Sequence, residues 1–105
     1  MKFTPTKFTA LFSDGIHELN GYGFDVGRRH LVAHHARAEM RPIDKNWHVS
    51  ERTSGFPIGI ATAPTRFEAA RIAVHAMPTV TDHEWKLAIA GTMAIRAKED
   101  PELKK

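Results

Sequence analysis

Seven histidines in 105 residues are the first chemical signal of this chain. Four of them, His30, His34, His35 and His48, fall in or beside β-forming stretches, and imidazoles grouped this way raise two chemistries, zinc ligation and general base catalysis. Spacing restricts the first. On an extended strand, positions 30 and 34 share a face but stand roughly 13 Å apart, too far for both to ligate one zinc ion at about 2.1 Å. His34 and His35 point to opposite faces. A site would need His17 or His48 from a neighbouring strand and a carboxylate such as Glu51 or Asp25, and nothing in the spacing demands that set. The pair His83-Glu84 is followed by Trp85, Lys86 and Leu87, so the His-Glu-x-x-His arrangement of zinc hydrolases does not occur. Polar, partly exposed histidines with no metal or cofactor are the expectation.

Nucleophilic and phosphate chemistry find equally little support. Ser13, Ser50 and Ser54 could each meet a histidine, but none lies in a Gly-x-Ser-x-Gly elbow, and Ser54-Gly55 reads as turn chemistry. The glycines of residues 20–27 precede a strand instead of opening a helix, so the phosphate-cradling geometry of a glycine-rich loop is missing. A non-catalytic protein is the reading.

Charge points to contact surfaces. The net charge is +3, and residues 28–45 hold Arg28, Arg29, Arg37, Arg41 and Lys45 against Glu39 and Asp44, which accounts for all of it. A localised basic strip steers an acidic partner through long-range attraction that salt screens. The candidate partner-binding residues are therefore Arg28, Arg29, Arg37 and Arg41, joined by His34 and His48 if the sheet presents them on an open face. An acidic protein surface or nucleoprotein complex is the expected partner, with nucleic acid itself as the alternative. The oligomeric state is left open.

The elements that must carry these groups follow from periodicity. Residues 7–12 alternate as a strand, Ser13-Asp14-Gly15 turns the chain into residues 16–19, and Asn20-Gly21-Tyr22-Gly23 reads as a break before a third extended run over 30–37. Trp47, Val49 and Glu51 alternate with His48, Ser50 and Arg52; after the turn at 52–55, Phe56, Ile58 and Ile60 alternate with Pro57, Gly59 and Ala61. Helical spacing begins at the capping box Thr65 to Glu68. On that helix Phe67, Ala70, Val74 and Met77 form one stripe, expected on the sheet, and Ala69, Ile72 and Ala76 a second, expected to receive another helix. Pro78 breaks the chain, and a second capping box, Thr81 to Glu84, opens a helix carrying Trp85, Leu87, Ala88, Ile89 and Met93.

Together these predict an α+β fold: a four- or five-stranded, mostly antiparallel sheet with two C-terminal helices packed on one face. A single domain over 1–97 and a polar tail over 98–105 are expected. The core is assigned to Phe8, Phe12, Leu31, Trp47, Val49, Phe56, Ile58, Ile60, Phe67, Val74, Met77, Trp85 and Ile89. His48, Ser50, His30 and His34 are left on an open sheet face. Cysteine is absent, no window reaches the roughly 18 apolar residues of a membrane span, and the first residues do not read as a signal peptide, so a cytoplasmic location is expected.

Two resemblances bear on function. The segment 46–73, through Trp47-His48-Val49, Thr53-Ser54-Gly55 and Thr65-Arg66-Phe67-Glu68-Ala69, resembles the arm-type DNA-binding domains of phage tyrosine recombinases, which implies a three-stranded sheet and helix used on DNA. Arg52, Arg66 and Arg71 are its only basic residues, few for the phosphate contacts of tight duplex binding. In size, lack of cysteine and lack of a catalytic motif, the chain resembles the small accessory proteins of phages and mobile elements, anti-CRISPR proteins among them. That likeness implies a protein that binds and blocks a larger host nucleic-acid-processing complex. The alternatives are a nucleic-acid-binding module using the basic 28–45 segment and a small histidine-dependent metalloprotein.

Overall fold

The computed structural model describes residues 2–12, 15–36 and 44–99. Within them five strands, β1 (Thr4–Phe12), β2 (Gly15–Val26), β3 (Arg29–His35), β4 (Trp47–Glu51) and β5 (Pro57–Ala63), form one antiparallel meander in chain order. Helix α1 (Arg66–Ala76), a 3₁₀ turn (Met77–Thr79) and helix α2 (Asp82–Glu99) follow, with α1 against β3, β4 and β5 and α2 reaching β2. The fold is α+β, as the periodicity predicts. Arg37 and Arg41 lie outside the described residues. Helix α2 runs through Glu99, into the segment expected to be tail.

The hydroxyl half of each capping signal is realised. The Thr65 hydroxyl accepts from the Glu68 N–H at 3.2 Å and the Thr81 hydroxyl from the Glu84 N–H at 3.1 Å, while Thr81 donates back to the Glu84 carboxylate at 3.0 Å. Between the helices, Pro78 lacks a donor N–H and the chain tightens into the 3₁₀ turn.

The meander is not flat. Strand β2 passes unbroken through Asn20-Gly21-Tyr22-Gly23, where a turn was expected, and the glycines serve close approach instead. A Cβ on Gly21 would lie 2.6 Å from the Ala33 carbonyl oxygen. There the first hairpin curls over the face of β3 opposite the helices, and Phe8, Ala10 and Val32 form a second buried cluster, with Phe12 and Leu19 against it. The expected open face is therefore covered over His34 and Ser50, while His30 stays exposed and His48 half-buried, and Phe8 and Phe12 belong to this cluster instead of the helix-side core.

The helix-side core gathers Phe24, Leu31, Ala33, Val49, Ile58, Ala61, Ala63, Met77 and Trp85 with three alanines of α1. Two expected members are missing. Phe67 is 56% exposed, because the arc of α1 that meets the sheet is Ala69, Ala70 and Ala73, lying between the two expected stripes. Facing them are Ala61 and Ala63 of β5, so small side chains on both elements allow close backbone approach. Ile60 is 71% exposed for a different reason. Trp47 and His48 pair with Ala63 and Thr62, but Ser50 pairs with Pro57, so residues 58–61 of β5 face Val49 alone. That irregularity breaks the two-residue alternation and turns Ile60 outward.

The β4 to β5 turn is organised by one buried acid. Glu51, 3% exposed, accepts from the Thr53 and Ser54 N–H groups, each at 2.7 Å. Gly55 follows with φ of 79°, and a Cβ there would sit 2.6 Å from the Thr9 carbonyl oxygen. Arg96 of α2 closes the same junction, donating to the Ser54 carbonyl at 2.8 Å, to the Thr53 carbonyl at 3.1 Å and to the Thr9 hydroxyl.

Candidate functional site

Of the six residues expected to form a contact surface, the structure describes four, Arg28, Arg29, His34 and His48, and these differ in exposure and in what they contact. Arg28 is exposed in the two-residue turn joining β2 to β3. Its neighbour Arg29 turns inward and is spent on the helices: it donates to the Met77 carbonyl at 2.8 Å and the Val80 carbonyl at 2.6 Å, pairs with Asp82 at 3.2 Å, and lies over the Trp85 ring at 5.1 Å. With its side chain 13% exposed, Arg29 is a clasp across the α1–α2 junction. Any contact by Arg37 and Arg41 falls outside the described residues.

The two histidines pair across β3 and β4 with ring centres 6.1 Å apart, but they differ in exposure and partners. His34 is 8% exposed, beneath the Phe8 ring at 4.9 Å. Its Nδ1 meets the His35 carbonyl at 2.8 Å, which places the proton there, so Nε2 accepts from the Ser50 hydroxyl at 2.8 Å. Burial pushes its pKa below the ordinary value, opposed by the hydrogen bond to the His35 carbonyl and reinforced by the neighbouring His48 and His35. A serine and a neutral imidazole in hydrogen-bond contact have the makings of an activated nucleophile, but Ser50 is buried too. No described group completes the pair as an orienting acid.

His48, half-buried, directs Nε2 to the Asp44 carboxylate at 2.6 Å and Nδ1 to the Thr62 hydroxyl at 3.3 Å. The Asp44 carboxyl is held below its usual range by the Asn46 N–H and then by His48. Among the described residues no three histidine, aspartate or glutamate side chains gather to hold a metal ion. Among them, too, no helix is long and apolar enough to cross a membrane.

A different cluster carries the chemistry that remains. At the β3 to β4 end of the sheet, Arg66, the first residue of α1, lays its guanidinium carbon 4.0 Å from the Tyr22 ring centre, 4.8 Å from that of Phe3 and 5.8 Å from that of Trp47. His35 stacks on Trp47 at 3.9 Å, and Tyr22 and Trp47 stand 6.0 Å apart. All five side chains are half-buried, so the cluster reaches the surface.

Its assembly follows from register. Tyr22 pairs with Ala33 and His35 with Trp47, which puts three rings on the helix-side face of adjacent strands; Phe3 arrives just before β1, packing edge-on against Phe24 at 5.7 Å. The capped start of α1 then drops Arg66 among them. Each cation–π contact contributes about 0.5 to 1 kcal/mol at such partly exposed sites. Arg66 makes no hydrogen bond or ion pair with a described residue, so its N–H edge is free of protein acceptors there.

Sequence reasoning counted Arg66 only as a possible phosphate contact and kept Trp47 for the core. It missed Tyr22 because the flanking glycines read as a turn. Comparison with known protein families, with curated proteins and with solved structures finds no match.

Proposed function

We propose that this protein acts by binding and not by catalysis, as a small accessory protein that occupies a surface of a larger nucleic-acid-processing complex, with the Arg66 cluster as its contact patch. One observation carries the reading: a guanidinium held against Phe3, Tyr22 and Trp47 with its donor edge unclaimed by any described residue. Tryptophan, tyrosine and arginine are the residues that dominate interface hot spots, and fixing the arginine beforehand lowers the entropy cost of using it. The buried histidine and serine and the clasping arginines support the fold instead. The expected function by occlusion asks for a rigid surface, which such a cluster on a sheet end supplies.

The test is affinity capture from the native host with a nuclease-treated control, comparing the wild-type chain with Arg66→Ala. A nuclease-resistant partner retained by wild type and lost by the variant is expected, with Arg71→Ala on the same helix behaving as wild type. Capture that ignores Arg66→Ala would overturn the reading. Capture abolished by nuclease would favour the second reading, a nucleic-acid-binding module, which the stackable rings also suit.

A further inference from the structure

Building on the binding reading above, we infer that the Arg66 cluster is a receptor for a side-chain carboxylate flanked by apolar residues, so that the partner offers an acidic-hydrophobic segment. The guanidinium is a planar fork of five N–H donors, matched in shape to a carboxylate taken through two parallel bonds. Within the described residues those donors meet no acceptor, while both the position and the plane of the group are constrained by rings at 4.0, 4.8 and 5.8 Å. A fork held in place before the ligand arrives loses little rotamer freedom on binding.

The surroundings choose the class of ligand. Phe3, Tyr22, Trp47 and the His35 ring stacked on it present half-buried apolar area beside a single fixed cation. One carboxylate with apolar neighbours satisfies that arrangement, because the rings exclude water and strengthen the charge-assisted bonds. A nucleic-acid strand needs a run of cations following its backbone. Three of the described arginines are not available for one: Arg29 is spent on Met77, Val80 and Asp82, and Arg96 on Ser54, Thr53 and Thr9, while Arg28 sits in the turn at the far end of β3 from His35.

The same contacts would also arise if Arg66 merely pinned the start of α1 to the sheet. Two substitutions separate these roles. Arg66→Lys keeps the charge and the contact with the rings but removes the fork; Arg66→Met keeps apolar packing and removes the charge.

The experiment titrates the intact protein with an acetylated, amidated peptide of alternating glutamate and leucine, its glutamine counterpart, and a short oligo(dT), at about 0.1 M salt where exposed charges are largely screened. Nuclear magnetic resonance reads the Arg66 Nε–H and the Trp47 indole N–H. The glutamate peptide should shift both signals in a saturable way, with the glutamine peptide roughly tenfold weaker, since a charged bidentate contact of this size is lost. Arg66→Lys and Arg66→Met should each weaken the glutamate peptide by a similar factor while their melting temperatures stay near that of wild type, and Arg28→Ala should bind as wild type does.

Equal binding of the glutamate and glutamine peptides, no shift at Arg66, or saturation by oligo(dT) at lower concentration would overturn the carboxylate assignment. So would undiminished binding by folded Arg66→Lys. If these probes fail while capture of the nuclease-resistant partner still depends on Arg66, the binding reading stands without the carboxylate; if both fail, neither stands.

Discussion

His34 is the residue whose burial has the clearest energetic sign. Unfolded, its imidazole takes up a proton near its ordinary value of 6.5; folded under Phe8, it resists the proton to lower pH. Between those values the unfolded chain holds more protons, so stability is fully present above pH 6.5 and falls as pH drops through the folded pKa. Urea midpoints measured from pH 7.5 to 5 should therefore decline, and His34→Asn, whose amide can still bond Ser50, should flatten the decline. His34→Ala strands the Ser50 hydroxyl beneath the hairpin and should cost about 1 to 3 kcal/mol at neutral pH. None of this was legible from residue 34 itself. Alternation placed it correctly on the face away from the helices, but what covers that face depends on a bend in β2 that no local pattern encodes.

At the scale of elements, the β4 to β5 turn and the helix caps show what short-range chemistry can predict. Thr65 and Thr81 were readable as caps because a cap is local: one hydroxyl, one N–H three residues on. The turn at 52–55 was readable too, yet its organiser, Glu51, counted only as an alternating strand residue. Glu51→Ala should free the Thr53 and Ser54 N–H groups inside a buried turn and cost about 1.5 to 3 kcal/mol, seen as a lower urea midpoint with an unchanged slope. Gly55→Ala should cost more than about 1 kcal/mol, since its positive φ and the nearby Thr9 carbonyl both oppose a side chain. The alternation over Phe56, Ile58 and Ile60 failed at Ile60 because residues 58–61 face one partner residue, and a register irregularity leaves no mark in hydrophobic spacing. The stripe on α1 failed at Phe67 for a comparable reason. Size decided it: alanines on α1 met alanines on β5, whereas the pattern had favoured the largest residue.

Across the whole molecule, two arginines from opposite ends of the helical segment's surroundings bind α2 to the sheet. Arg29 reaches from β3 to the carbonyls before α2, and Arg96 reaches from α2 to the turn after β4 and to β1. Removing either should loosen α2 more than it lowers global stability. Amide exchange in Arg29→Ala should rise first in residues 82–89, and in Arg96→Ala in 92–99, while β3 and β4 stay protected. Uniform loss of protection over all elements would contradict that division. The Arg96 contact with Thr9 also spans 87 positions of sequence. Most of the meander pairs neighbours in the chain and can form as it leaves the ribosome, but the first strand receives this last fastening only once the end of α2 has been made. A chain cut before residue 96 lacks this fastening altogether, so such a truncation should loosen β1 while leaving the β3 to β4 pairing protected, read by amide exchange.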